Sequence, residues 1–336
     1  MKILITGGSG FIGTHVVNRL LSREHQVLNI STHPPHEPAH QHNWQATDIL
    51  DAPALESAFQ SFAPEIVLHL AARTEMDEKT TAETGFRANT QGTRNLLAAI
   101  QTTPSVRRAL ICSSQFVCGP GRLPENDEDY FPATVYGQSK VITEQETRRA
   151  NLACEWVIVR PTNIWGPWHP RYPQEFWRIA AKGLYVHPGG NPVVRCYGFV
   201  GNVADQIVAL ALDQPAEKIH RQTFYVGDPP DDIHKWADAF CRALHGKPAR
   251  KVPRPILRAA GLAGDLITAV TGKPFYITSS RYRSMVTDYI VPMEKNYALL
   301  GPPKTSLQQG VAETVSWLAS RRNTMATHAV VTAVTP

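Results

Sequence analysis

Thr6-Gly7-Gly8-Ser9-Gly10-Phe11-Ile12-Gly13 follows the apolar run Ile3-Leu4-Ile5 and precedes Thr14–Arg23, where apolar residues recur at helical spacing. The order is strand, tight turn, helix, with Gly7, Gly10 and Gly13 three residues apart. The first glycine permits the turn, the second lets a pyrophosphate approach the backbone, and the third lets helix and strand pack closely. The unpaired N–H groups at the helix start face the phosphates with a partial positive charge. In that context the three glycines point to a dinucleotide site.

The same alternation continues along the chain. Gln26–Ile30, Glu65–Leu70, Arg108–Cys112 and Trp156–Arg160 read as strands, while Ala52–Phe62, Phe86–Gln101 and Val135–Arg149 read as helices. Alternating strands and helices predict an α/β fold, a Rossmann-type doubly wound parallel sheet. From Trp165 to Pro192 the texture turns to Pro, Gly, Trp and His, as expected of a surface or substrate-lining segment. Ala204–Leu212 reads as a helix and Gln222–Val226 as a strand, so the chain is expected to return to the sheet. The expected division is 1–165 with 196–227 for the dinucleotide-binding domain, and 166–195 with 228–322 for a smaller, mainly helical substrate-binding domain. Residues 323–336 are expected to form a loose tail.

Composition narrows the partners. The chain has 336 residues, 43% of them hydrophobic and 19% charged, which suits a folded globular protein rather than a disordered one. The net charge of +5 is carried by scattered Lys and Arg, without the runs that track a nucleic-acid backbone. Cys112, Cys118, Cys154, Cys196 and Cys241 are odd in number and contain no C-x-x-C pair, which fits a reducing cytoplasm. No signal segment precedes Ile3–Ile5 and no apolar stretch is long enough to span a bilayer, so no membrane partner is expected. Ile256–Val270, interrupted by Arg258 and Asp265, is expected to be a buried amphipathic helix. His33, His36, His40 and His42 lie in a Pro-rich segment without a thiolate partner and read as a solvated loop, and no metal is expected.

Tyr136 and Lys140 stand four apart on one predicted helix, hence on one face. A phenol with an ordinary pKa of ~10 is a poor acid or base at neutral pH, so a cation beside it must favour the phenolate. Lys140 can supply that charge. Ser114, just past the strand Arg108–Cys112, can then hydrogen-bond a substrate oxygen while Tyr136 moves the proton. Cys112 reads as a small core residue, and Trp165, Trp168, Tyr172 and Trp177 either stack on a ligand or fill a core.

With these residues in view the chain resembles the extended short-chain dehydrogenase/reductase superfamily, the branch of nucleotide-sugar epimerases, dehydratases and ketoreductases. The resemblance rests on Thr6–Gly13, His69-Leu70-Ala71-Ala72, Asn89 with Gly92 and Thr93, Ser113-Ser114, Tyr136-Gly137-Gln138-Ser139-Lys140 and Arg160-Pro161-Thr162-Asn163. It implies catalysis by Ser114, Tyr136 and Lys140. It implies a cofactor site of Gly7, Gly10, Phe11, Ile12, Gly13, Ser31, Asp48, Ile49, Leu70, Ala71, Ala72, Asn89, Tyr136, Lys140, Pro161 and Thr162. Ser114, Gln115, Asn163 and Arg195 are implied to meet the substrate, and a homodimer is implied through the helices carrying Asn89–Ile100 and Tyr136–Arg149.

Three departures from the family's pattern bear on function. Ser31 stands where NAD-preferring relatives carry an acidic residue, which leans the cofactor from NAD toward NADP. Gln115-Phe116 replace the acidic pair of the sugar dehydratases, which argues against dehydration, and Cys118 replaces a common tyrosine. The leading expectation is hydride transfer at a carbinol or carbonyl carbon of a nucleoside-diphosphate sugar, by an epimerase or ketoreductase. It supposes that Arg160, Arg171, Arg195 and Arg281 face the crevice as phosphate partners. Leu299-Leu300-Gly301-Pro302-Pro303 also resembles the hydroxysteroid dehydrogenases, the second reading, and an NAD(P)-sensing regulator without turnover is the third.

Overall fold

The computed structural model describes residues 1–272 and 275–332, with side chains described as far as Arg321. The chain divides into two compact units, one of Met1–Ile164, Tyr197–Pro229 and Val291–Lys304, the other of Trp165–Cys196, Pro230–Ile290 and the residues from Thr305 on. The segment Val291–Lys304, expected in the second domain, thus belongs to the first. Its helix Glu294–Leu300 is held there by Tyr297, whose hydroxyl donates to the Gly227 carbonyl at 3.1 Å, and by Lys295, whose ammonium lies 4.9 Å from the Phe224 ring centroid.

In the first unit β1 (Lys2–Thr6), β2 (Gln26–Ser31), β3 (Trp44–Ala46), β4 (Ile66–His69), β5 (Arg108–Cys112) and β6 (Glu155–Pro161) join the strand Gln222–Val226 in one sheet. The spatial order is Gln222–Val226, β6, β5, β4, β1, β2, β3, and every pairing is parallel. The order reverses between β1 and β4, so a crevice opens outside their carboxyl ends, where doubly wound sheets take their ligands.

The central strands are buried on both faces, and this is why they read as unbroken β-branched and leucine runs. Leu4, Ile30, Val67, Ile111 and Ile158 pack on one face against Leu55 and Phe59 of α2 (Ala52–Phe62) and Leu96 and Ile100 of α4 (Gln91–Gln101). Between these helices, α3 (Ala82–Gly85) is a separate short turn, so the single helix expected over Phe86–Gln101 begins five residues later. α1 (Phe11–Ser22) and α5 (Val135–Arg149) flank the site. Thr134 caps α5, its side-chain oxygen accepting from the Gly137 N–H at 3.0 Å.

The second unit is mainly helical, with Phe176–Ala181, Ile233–His245, Arg254–Thr271, Ser279–Val286 and Leu307–Thr332. Its core is aromatic. Trp165 and Trp177 are 1% exposed and meet the Phe240 ring at centroid distances of 5.4 and 5.7 Å, while Phe176 stacks on Trp236 at 4.5 Å. Trp165 and Trp177 therefore fill this core, and Tyr172 lies half-buried with its ring 5.6 Å from that of Trp177. The helix Leu307–Thr332 continues where a loose tail is expected from residue 323, and 333–336 lie outside the described residues. The helix expected over Ile256–Val270 is present, but it is not buried: Ile256, Leu262, Leu266, Ile267 and Val270 are all exposed.

Candidate active site

Each loop of the site leaves the carboxyl end of a strand. Gly7 follows β1, Ser31 ends β2, Leu70–Ala72 follow β4, Ser113 and Ser114 follow β5, and Thr162 and Asn163 follow β6.

Gly7 adopts φ +73°, and a Cβ there would lie 2.6 Å from the Ala71 nitrogen, so the turn and the chain after β4 can only meet at a glycine. A Cβ at Gly13 would collide with the Gly7 carbonyl oxygen, which locks α1 against the turn. Gly10 caps α1 without a side-chain bond, and beyond the Gly7 oxygen at 3.2 Å a Cβ there meets nothing. The tight turn and the helix start are built as the sequence predicts. Gly10→Ala is expected to fold normally and to weaken nicotinamide dinucleotide binding by about tenfold or more, as the added methyl occupies the approach to the backbone. Isothermal titration against the wild-type chain checks it.

Tyr136, Ser114 and Lys140 converge at the start of α5. A Cβ at Gly137 would collide with the Phe116 carbonyl oxygen, so glycine lets α5 lie directly on the short turn Gln115–Val117 that follows Ser114. That approach brings the Tyr136 phenol close enough to Ser114 for the serine to act on its pKa. The Ser114 hydroxyl accepts from the Phe116 N–H at 3.2 Å, which fixes its direction. Tyr136 is 7% exposed, and its phenol is held well above the ordinary range, first by burial and then by Cys112, while Ser114 pulls the other way. Lys140 is also buried. Its Nζ donates to the Cys112 carbonyl at 2.8 Å, and burial lowers its pKa. In the protein alone, burial thus keeps the phenol protonated.

Asn89, expected against the cofactor, is instead fully engaged by the protein. Its Oδ1 accepts from the Arg73 N–H at 2.8 Å, and its Nδ2 donates to the Arg73 carbonyl at 3.0 Å and to Ser139 Oγ at 2.8 Å. Ser139 in turn donates to the Tyr136 carbonyl at 2.7 Å, so Asn89 ties the Arg73 backbone to α5. Asp48 is exposed and its Oδ1 accepts from the Leu50 N–H at 2.9 Å, while Ile49 is buried against Gly92. Thr162 Oγ1 is buried without a partner among the described residues, and Asn163 beside it is half-buried. Gln115 is buried, and Arg195 lies in the second unit, its Nε donating to the Thr287 carbonyl at 3.1 Å.

Three networks lie outside the sequence reading. Thr6 Oγ1 bonds His69 Nδ1 at 2.7 Å, and His69 Nε2 bonds Thr93 Oγ1 at 3.2 Å. Burial first, and the Lys140 charge second, lower the His69 pKa to about 3, so the ring is neutral. Arg160, offered as a phosphate partner, is buried in a two-pronged bond to Glu144, Nε to Oε1 and Nη2 to Oε2 each at 2.8 Å. Burial works against its charge, but Glu144 outweighs that and holds its pKa up. Arg281 is likewise paired, 3.3 Å from Glu175. Asp228, whose carboxylate accepts from the Phe199 N–H at 2.7 Å and from Asn202 at 2.9 Å, is raised by burial to about 6.

The histidines give a pH prediction. His69 and His169 are lowered to about 3 and His187 to about 4, each chiefly by burial. Their unfolded pKa is ~6.5, so as pH falls the unfolded state binds the protons first, and the stability present above that value is lost. Between pH 7 and pH 5 each is expected to cost about 2 kcal/mol, seen as a falling urea midpoint. His69→Gln is expected to flatten that slope.

His33, His36 and His42 are exposed, but His40 is buried in the turn Pro38–Asn43 with Nε2 2.7 Å from Asn18 Oδ1, so the tract is not a wholly solvated loop.

The model of the NAD dependent epimerase/dehydratase family matches residues 3–227. N-acetyl-alpha-D-glucosaminyl-diphospho-ditrans,octacis-undecaprenol 4-epimerase of Escherichia coli O157:H7 is 24% identical over 324 residues, covering 94% of this chain and 95% of its own. The 3 beta-hydroxysteroid dehydrogenase/Delta 5-->4-isomerase of Mycobacterium tuberculosis is 31% identical over 279 residues, covering 76% of this chain and 73% of its own. The Thermus thermophilus UDP-glucose 4-epimerase, solved in complex with NAD, superposes with a TM-score of 0.68 at 24% identity, covering 95% of this chain and 99% of that one. This chain belongs to the NAD dependent epimerase/dehydratase family.

Proposed function

We propose that the chain is an NAD-dependent epimerase of a diphosphate-linked sugar, oxidising one carbinol carbon and returning the hydride to its other face. The observation that carries the reading is the buried pair of Ser114 and Tyr136, the serine directed by the Phe116 N–H, with Lys140 buried one turn along the same helix and anchored on the Cys112 carbonyl. The sugar class is supported by the E. coli O157:H7 relative, whose name carries a diphosphate-linked sugar and whose match spans nearly the whole of both chains.

The residues present fit a dinucleotide. Gly7, Gly10 and Gly13 form the cradle, and the orphaned Thr162 hydroxyl lies at the end of β6 to receive a polar group. Bound there, the nicotinamide supplies a reversible hydride acceptor. Ser114 donates a hydrogen bond to the substrate oxygen, and Tyr136, entering the cycle as the phenolate, takes the carbinol proton as the hydride leaves and gives it back when the hydride returns. Lys140, anchored by the Cys112 carbonyl, places positive charge on that face. The lean to NADP is set aside, because no Lys or Arg occurs from Glu24 to Ala72 to pair with a 2′-phosphate. Dehydration remains disfavoured, since Gln115-Phe116 supply no carboxylate.

The second reading, a hydroxysteroid dehydrogenase, is favoured by the 31% identity to the M. tuberculosis enzyme and by the loss of Arg160 as a phosphate partner. Incubating the NAD-loaded protein with UDP-sugars, a polyprenyl-diphosphate sugar and a 3β-hydroxysteroid separates the two. Inverted sugar without net nicotinamide reduction supports the epimerase; stoichiometric reduction by the steroid replaces it with the dehydrogenase.

A further inference from the structure

The helix Arg254–Thr271 of the second unit is turned inside out relative to an ordinary surface helix. Its buried positions are Leu257, Gly261 and Gly264, and a Cβ at Gly264 would collide with the Ile277 carbonyl oxygen. The side that packs is therefore a seam of small residues. Its large apolar side chains stand in solvent, with Leu262 61%, Leu266 66% and Val270 77% exposed, and Ile256 and Ile267 beside them. At 100° per residue these five fall within an arc of about 140°, opposite the glycine seam. A contiguous apolar stripe of this kind marks an interaction surface.

Its surroundings are cationic. Arg258 is exposed at the border of the stripe, and Arg250 and Lys251 are exposed in the strand that leads into the helix. Asp265 is the one carboxylate of the helix. An open cleft of about 500 Å³ at the helix start is lined by Gly189, Gly190, Lys251, Val252, Pro253 and Arg254. Arg254 is pinned there, Nε donating to the Gly189 carbonyl at 3.0 Å and Nη2 to the Asn191 carbonyl at 2.8 Å.

We infer that this face docks on the surface of an anionic phospholipid bilayer, the stripe entering the acyl boundary while Lys251 and Arg258 meet lipid phosphates. Apolar stripe and flanking cations are the two components of interfacial helix binding. The same face of a second copy offers the same cations rather than their counter-charge. No described helix is long and apolar enough to cross a membrane, so the contact lies on the bilayer and not through it.

The test is co-sedimentation of the full chain with vesicles of phosphatidylcholine, alone and mixed with phosphatidylglycerol. Binding to the mixed vesicles that falls with added salt is expected. The combined substitution Leu262→Ser, Leu266→Ser and Val270→Ser, at exposed positions that leave the circular dichroism unchanged, is expected to weaken it by about tenfold or more. Arg258→Glu is expected to weaken it and to reduce its salt dependence. Equal binding of wild-type and triple-substituted protein overturns the inference, as does absence of binding to the mixed vesicles. A dimer of the wild-type chain that the triple substitution dissociates, without vesicle binding, overturns it too and reassigns the stripe to self-association.

Discussion

Tyr136→Phe is expected to lower turnover by about 10²–10⁴-fold while leaving the fold and dinucleotide affinity in place. The substitution removes one oxygen from a phenol packed between Phe116 and Phe86, at ring distances of 5.9 and 6.1 Å, so the ring still fills its site. What is lost is the buried phenol oxygen that takes and returns the proton. The conservative change thus separates chemistry from packing. A matched thermal midpoint and an unchanged NAD titration, measured beside the lost activity, check that separation. Retention of more than about a tenth of the wild-type rate would remove Tyr136 from the proton transfer.

Glu144→Ala is expected to destabilise the first unit by about 3–5 kcal/mol, because it leaves the Arg160 guanidinium buried without its counter-charge. Glu144 is 0% exposed and Arg160 1%. The Ser113 hydroxyl, which donates to Oε1 at 2.6 Å, and the Tyr130 hydroxyl, which donates to Oε2 at 3.1 Å, lose their acceptor in the same step. Replacing both ion-pair members together by methionine is expected to recover the part of the loss due to the uncompensated charge, while the Ser113 and Tyr130 hydroxyls stay without their acceptor. Urea unfolding of the single and paired variants measures this. The ion pair sits one helical turn beyond Lys140 and one strand from Ser113, so the loss is also expected to loosen the catalytic face.

The parts of this molecule legible from sequence are those encoded locally. Gly7, Gly10 and Gly13 declare the turn because their conformation and contacts forbid a side chain, and the buried parallel strands announce themselves as apolar runs. Tyr136 and Lys140 are legible through helical spacing. What sequence alone does not yield is pairing across the fold. Nothing near Arg160 signals that Glu144 will cover it, although Glu144 lies four residues after Lys140 and so on the same face. Asn89 carries the pattern of a ligand-facing residue, yet its partners Arg73 and Ser139 come from segments 16 and 50 residues away. The reason for a glycine at 137 shows only when the Phe116 carbonyl is placed against it. The helix Arg254–Thr271 shows the limit of periodicity: an amphipathic pattern fixes which residues share a face, and the glycine seam decides which face packs.

Reversible hydride transfer is best tested by following a sugar substrate, deuterated at the reacting carbinol carbon, through single turnovers of the NAD-loaded enzyme. The inverted product is expected to keep its deuterium at that carbon, the step to be slowed by the label, and no hydrogen from solvent to enter there. Exchange of the label with solvent during inversion would rule the mechanism out, since the carbon would then lose a proton rather than a hydride.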